Sequence, residues 1–171
     1  QMARALDVDT AQIQLVVTSY LIVIVGIILI FGKLGDMLGK TRIFTFGIAM
    51  FTLGSLLCGI GSSFPVLIGA RIIQAVGAAA TMANNQGIIT QVFPATERGK
   101  ALGLTGTSVA LGSLVGPGLG GIIVGAASWE YIFLINVPVG VVVLSFAIKL
   151  LPRSNKKATD RLDVLGAALF M

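Results

Sequence analysis

Apolar residues run through this chain in long stretches that short polar segments interrupt. Five stretches are close to the ~20 residues that an α-helix needs to cross the hydrocarbon core of a bilayer. We place them at about 11–34, 43–60, 65–92, 101–126 and 131–150. A polar loop over 151–163 follows, and 164–171 is interpreted as the truncated start of a further span. The pattern predicts an all-α, multi-pass membrane protein whose short loops make neighbouring spans antiparallel.

Charge is sparse and lies at alternate connections between the spans. Only 11% of the 171 residues are charged, against about 25% in soluble domains. The basic residues of these connections are Lys33, Lys40, Arg42, Arg98, Lys100, Arg153, Lys156, Lys157 and Arg161. The loops around 61–63 and 128–130 carry no Lys or Arg, so the positive-inside rule places the basic loops on the cytoplasmic side of the membrane. We expect this membrane to be a bacterial-type plasma or inner membrane. Because topology accounts for the net charge of +5, we expect no nucleic-acid partner.

The sequence offers little catalytic chemistry. It has no histidine and a single cysteine, Cys58, which lies in an apolar stretch and is expected to pack as a small hydrophobic residue. No clustered metal ligands, phosphate-binding loop or nucleophile–base pair is present, so we expect no enzyme, metal or cofactor. A channel is disfavoured because no span carries a filter sequence or a repeated acidic position.

The third span carries a charged side chain well within an apolar stretch, Arg71. An arginine at a helix centre costs roughly 2.5–3.5 kcal/mol on insertion scales and usually faces the bundle interior. Arg71, Gln74, Ala78, Thr81 and Asn85 follow three-four spacing and form one polar stripe. Such a stripe belongs against protein or a water-filled cavity, so we assign Gln74, Thr81 and Asn85 to a cavity lining. An arginine that snorkels to the outer headgroups is the alternative.

The fourth span combines glycines with a proline, which weakens a helix unless neighbouring helices cover the freed backbone. Gly112, Gly116 and Gly120 repeat at four-residue spacing, which predicts a face where another backbone approaches closely. With Pro117, the pattern predicts a bent and tightly packed helix. Pro138 likewise predicts a kink near the start of the fifth span.

The connection between the first two spans is rich in glycine and charge. Gly35 and Gly39 permit a tight turn there. Asp36 lies beside several cations and is expected to pair with Lys40 or Arg42. An ordinary charged turn without a special role is the alternative interpretation.

Two of these segments resemble motifs of the major facilitator superfamily. The segment 32–42 is similar to the loop signature Gly-x-Leu-Ala-Asp-Arg-x-Gly-Arg, with Met37 in place of the usual basic residue. The matching residues are Gly32, Leu34, Asp36, Gly39 and Lys40. The segment 71–80 resembles the fourth-helix motif Arg-x-x-Gln-Gly-x-Gly-Ala-Ala, with Ala75 in place of one glycine.

Two further segments resemble the antiporter signature of the same superfamily and a motif of its fourteen-helix drug:proton antiporters. The antiporter signature Gly-x-x-x-Gly-Pro-x-x-Gly-Gly is matched at every fixed position. The matching residues are Gly112, Gly116, Pro117, Gly120 and Gly121. The segment 129–140 is similar to Trp-Arg-Trp-Ile-Phe-Leu-Ile-Asn-Val-Pro-Ile-Gly, with Glu130 and Tyr131 as departures.

The resemblance implies that 1–150 is a partial N-terminal bundle, corresponding to the second to sixth helices of a transporter. It implies proton-driven export of small amphipathic or cationic compounds, including drugs and antibiotics, by alternating access. The expected partners are a small-molecule substrate, protons, the lipid bilayer and the missing helices of the parent transporter. Arg71 would act in proton coupling, the loop motif in the cytoplasmic gate, and the antiporter motif in shaping its helix.

The proton carrier itself is not found within the predicted spans, because they contain no Asp or Glu. Lys and Arg titrate too high to carry protons readily near neutral pH, so the carrier must lie outside this segment. Two other functions stay open: a transporter of one metabolite with the same fold, and a membrane scaffold fragment that does not transport.

Overall fold

The computed structural model describes residues 8–61 and 63–151. Its helices are α1 (Thr10–Leu38), α2 (Lys40–Ile60), α3 (Phe64–Val92), α4 (Ala95–Ala126), α5 (Tyr131–Leu134) and α6 (Asn136–Leu150). α5 and α6 form one apolar span, so five spans in this part of the chain are long and apolar enough to cross a membrane. The expected all-α membrane architecture is confirmed. The stretch 164–171 and the predicted loop beyond residue 151 lie outside the described residues.

The connection between α1 and α2 is shorter than the sequence pattern predicts. α1 continues to Leu38 and α2 begins at Lys40, so a single residue, Gly39, reverses the chain. Gly39 has φ 103°, which glycine adopts readily because it lacks a Cβ atom. Gly32 and Asp36 therefore lie in the last turns of α1 rather than in a loop. Hydropathy ended the span too early because polar side chains at a membrane surface reach water without unwinding the helix.

Helix α3 lies at the centre of the bundle and packs most extensively against α2 and then against α1. Its Ala75 and Ala79 are fully buried. The contact with α2 is a backbone contact, because a Cβ atom on Gly77 would lie 2.6 Å from the Gly47 carbonyl oxygen. A Cβ atom on Gly54 would lie equally close, 2.6 Å, to the Gln74 Cα atom. Small residues thus allow the close approach on which helix association in lipid depends.

Helix α4 lies at the edge of the bundle. It is continuous through Pro117, and none of its residues is buried. Added Cβ atoms on Gly112, Gly116 and Gly120 would meet no atom of the described residues within 4 Å. The expected tight packing on this face is therefore not found within residues 8–151. The reason is that α4 contacts only α3 and α5 appreciably, and it does so near its two ends.

The fifth span is interrupted at Ile135, three residues before the proline that predicts a kink. Pro138 has no N–H group to donate to the carbonyl of Leu134, so the helix ends there and starts again at Asn136. Pro138 then occupies the first turn of α6, where a missing N–H costs nothing. The Asn136 side chain donates from Nδ2 to the Ile132 carbonyl at 3.3 Å and ties α6 back to α5.

Candidate functional site

A chain of hydrogen bonds links Arg71 on α3 to the backbone of α2. Arg71 Nη1 donates to Gln74 Oε1 at 2.8 Å, and Gln74 Nε2 donates to Ser55 Oγ at 2.7 Å. Ser55 Oγ in turn donates to the Phe51 carbonyl at 2.8 Å. Gln74 is 2% exposed and Ser55 is 0% exposed, so water does not compete for these bonds. These buried hydrogen bonds orient the guanidinium. We call the chain formed by Arg71, Gln74 and Ser55 the Arg71 relay.

Two aromatic rings enclose the same guanidinium. Arg71 Cζ lies 4.6 Å from the centroid of the Tyr20 ring on α1 and 5.3 Å from that of Phe133 on α5. These distances are within cation–π range. Arg71 Nε is buried and has no hydrogen-bond partner among the described residues. Contacts from α1, α3 and α5 thus hold the charge against protein, and the buried Nε–H group has no acceptor among the described residues.

The cavity-lining residues expected from the polar stripe separate in the structure. Thr81 lines a cleft of about 350 Å³ between α1, α2, α3 and α6, together with Tyr20 and Asn136. Gln74 lies instead in the α2–α3 interface as part of the relay. Asn85 is half-buried and does not line this cleft. Within the polar stripe, Arg71 and Gln74 contact each other through a hydrogen bond.

Sequence reasoning missed Asn84, which is fully buried between α3 and α1. Its Nδ2 donates to the Phe31 carbonyl of α1 at 3.1 Å and to the Ala80 carbonyl at 2.9 Å. Its amide lies directly against Gly35, where any Cβ atom would collide with it. The sequence does contain an indication of this contact. Asn84 follows Ala80 by four residues and therefore lies on the side of α3 that is rich in small residues.

Two charged residues on either side of Gly39 form an ion pair across the turn. Lys40 Nζ on α2 pairs with Asp36 Oδ1 on α1. The Lys40 stem packs on α3, because a Cβ atom on Gly87 would lie 2.7 Å from Lys40 Cε. Arg42 is exposed and forms no ion pair within the described part of the chain. Of the two cations that the sequence left open for Asp36, Lys40 is therefore the partner.

The remaining motif residues make few contacts. An added Cβ atom on Gly32 would meet nothing within 4 Å in the described ranges. The antiporter-motif residues lie on α4, away from the Arg71 relay. These residues are Gly112, Gly116, Pro117, Gly120 and Gly121.

Comparison with known proteins gives a consistent result along the chain. A family model for the Major Facilitator Superfamily matches residues 1–166. Riboflavin transporter RibZ of Clostridioides difficile is 42% identical over 99% of this chain and 37% of that protein. Multidrug resistance protein 3 of Bacillus subtilis is 40% identical over 89% of this chain and 30% of its own length. Multidrug resistance protein Stp of Mycobacterium tuberculosis is 34% identical over 98% and 32%, respectively. The chain spans about a third of the length of these relatives.

Proposed function

The chain belongs to the major facilitator superfamily, and on that premise we propose that the protein exports small amphipathic or cationic compounds in exchange for protons. The observation that carries the proposal is the environment of Arg71. Its guanidinium is oriented by Gln74 and two aromatic rings, and it has no carboxylate partner in the described ranges. A nearby cation favours the charged form of a carboxylate. Arg71 would therefore lower the proton affinity of an acidic group that another helix brings to it.

Coupling follows if protons and substrate bias one inward–outward equilibrium in opposite directions, since such effects are reciprocal. We assign the Asp36–Lys40 pair to the cytoplasmic gate, with the basic loops on the cytoplasmic side. The pair spans the one-residue connection at Gly39, so it would respond to any relative movement of α1 and α2. Gly116 and Pro117 would let α4 fit closely against helices outside residues 8–151.

The cleft beside Thr81 supports the proposed substrate class. Its walls include two aromatic rings, Tyr20 and Phe51, and the flexible side chain of Met82. Thr81 and Asn136 add hydroxyl and amide groups, and no lining side chain is charged. Apolar walls with a few polar groups are typical of small-molecule sites. We propose that this cleft forms one wall of the substrate site.

A transporter of one metabolite is the second candidate. It is favoured by the 42% identity with a relative named as a riboflavin transporter. Aromatic walls at Tyr20 and Phe51 also suit a flat ring system. This candidate predicts a narrow substrate profile, whereas multidrug export predicts competition among unrelated amphipathic compounds.

The test uses inverted membrane vesicles that contain the complete gene product. A pH gradient drives the uptake of a fluorescent cationic dye, and a protonophore abolishes it if protons supply the energy. We expect Arg71→Ala to reduce this uptake at least about tenfold, within the usual range of coupling energies. Arg98→Ala is the matched control, because Arg98 is an exposed arginine at the start of α4.

The outcomes separate the candidates. Dye uptake that is equal in wild type and Arg71→Ala would exclude a role of Arg71 in coupling and would favour an arginine that only reaches the outer headgroups. Absence of dye uptake together with saturable riboflavin transport would favour the single-metabolite transporter. Equal losses in Arg71→Ala and Arg98→Ala would show a general effect of charge rather than coupling at Arg71.

A further inference from the structure

A groove of about 280 Å³ lies between the start of α2 and the end of α6, away from the Arg71 relay. One wall is polar and the other is apolar. The polar wall consists of Thr41, Arg42 and Thr45, and the apolar wall consists of Ala147, Ile148 and Leu151. Arg42 belongs to the loop motif 32–42 that the resemblance assigns to the cytoplasmic gate, whereas the other lining residues of this groove have no assigned transport role.

The groove lies at the depth of lipid headgroups. α2 has 21 residues, which gives it a length of about 30 Å, close to the thickness of the hydrocarbon core. Arg42 in its first turn is therefore at the membrane surface, and Leu151 directly after α6 is at the same level. Ile148 is 60% exposed and Phe46 is 45% exposed, so the surface around the groove faces lipid.

The polar wall presents hydrogen-bond donors without acceptors. Asp36 forms its ion pair with Lys40, and Arg42 has no ion pair among residues 8–151. Thr41 is only 7% exposed, and its hydroxyl forms no hydrogen bond within the described residues. Thr41 also lies in the first turn of α2, where the helix dipole favours an anion.

The neighbouring helix carries a further cation next in sequence to Ile148, a residue that lines the groove. Lys149 lies in the last turn of α6, is exposed, and has no ion pair in the described part of the chain. An arginine fork beside an unbonded hydroxyl at a helix N-terminus is a typical phosphate site. An apolar wall directly beneath a phosphate site suits an acyl chain rather than a soluble phosphate.

We propose that this groove binds an anionic phospholipid of the bilayer. The phosphate lies on Arg42 and Thr41, with Lys149 contributing to the local potential, and one acyl chain lies along Ala147 and Ile148. The lipid would join α2 to α6 at the membrane surface. The proposal does not depend on the substrate or on proton coupling.

The test is a lipid titration of the complete gene product, purified in detergent and followed by native mass spectrometry. The probes are dioleoylphosphatidylglycerol and dioleoylphosphatidylcholine, which share acyl chains and differ in net charge. We expect tighter retention of phosphatidylglycerol, and about fivefold weaker retention in Arg42→Gln, the loss expected for one basic residue against anionic lipid. Lys100→Gln is the matched control, because it removes an exposed cation from the start of α4, away from the groove.

Several results would overturn the proposal. Equal retention of the two lipids by the wild-type protein would exclude a site selective for anionic lipid, whether or not the variants fold. Equal losses in Arg42→Gln and Lys100→Gln would indicate diffuse attraction to the surface. Displacement of the lipid by millimolar inorganic phosphate would show that the site binds phosphate without using the apolar wall. If Arg42→Gln is not monodisperse, Thr41→Val replaces it, and unchanged retention in that variant contradicts the role of the hydroxyl.

Discussion

Gly39 shows how much one residue determines in this fold. It is the single residue between α1 and α2, and its φ of 103° lies where L-residues with a Cβ atom are strained. Its carbonyl oxygen accepts from the amides of Arg42 and Ile43, which starts α2. The same residue therefore ends one helix, turns the chain and begins the next.

We predict that Gly39→Ala destabilises the protein by about 1–3 kcal/mol, the usual cost of a residue in a sparsely populated backbone region. The measurement is the thermal unfolding of the complete gene product in detergent. Gly32→Ala is the control, because Gly32 is helical and its added methyl group meets nothing within 4 Å in the described residues. We expect Gly32→Ala to be neutral or slightly stabilising. Equal effects of the two substitutions would contradict a special role for the Gly39 backbone.

The residue scale also shows the limits of sequence patterns. The pattern placed Asp36 beside cations but left Lys40 and Arg42 equivalent. Only the one-residue turn distinguishes them, because it places Lys40, the first residue of α2, beside Asp36 in the last turn of α1. The stripe likewise pointed to Asn85, while its neighbour Asn84 makes the contact with α1. A difference of one residue rotates a side chain by about 100° around the helix, and periodicity alone does not fix which helix lies on which side.

At the scale of helices, α2 and α3 form the most extensively packed pair of the described bundle. Gly47 and Gly77 bring the two backbones together, and the Gln74–Ser55 hydrogen bond crosses the same interface. Lipid tails are as apolar as the helix surfaces, so close packing and polar contacts are what hold such a pair together. The geometry of the Arg71 relay therefore depends on small residues one and two turns away.

We predict that Gly77→Ala separates α2 from α3 and destabilises the protein by about 1–3 kcal/mol, as overpacking does. Its added Cβ atom would lie 2.6 Å from the Gly47 carbonyl oxygen, and that backbone cannot move without the helix. Gly69→Ala is the control on the same helix, because Gly69 is exposed and has open space. Thermal unfolding distinguishes them, and an unchanged midpoint in Gly77→Ala would mean that the interface has more room than the contact distances allow.

The existence of each span followed from hydropathy alone, whereas helix ends and breaks did not. α1 continues four residues past the predicted boundary at 34 because a charged last turn is tolerated at the membrane surface. The break at Ile135 follows from the missing N–H of Pro138, so the proline indicated a disturbance without fixing its position. The edge position of α4 was not visible in a glycine pattern that predicts close packing.

At the scale of the whole molecule, the described chain consists of a packed centre and a loosely attached helix. α1, α2, α3, α5 and α6 contribute buried residues, whereas α4 has none. The glycine face of α4 is the surface on which the antiporter motif lies. The relatives are about three times longer than this chain. The proposed transport function therefore includes further helices that pack against the glycine face of α4.

We predict that the isolated 171-residue chain in detergent unfolds over a broad temperature range, because few contacts hold α4 in place within the described residues. Trp129 is the sole tryptophan and is 4% exposed against Phe133, so its fluorescence reports on the core near Arg71. Far-ultraviolet circular dichroism reports on all helices together. A sharp transition at the same temperature with both probes would show that α4 unfolds cooperatively with the rest.

The one-residue connection at Gly39 also has a mechanical consequence. A single residue spans at most about 3.6 Å, so the joined ends of α1 and α2 cannot move apart, and the Asp36–Lys40 pair lies across the same connection. The two helices can therefore change their mutual angle only by rotating about Gly39. A displacement of the far end of either helix passes to the other helix, because there is no loop between them that could stretch.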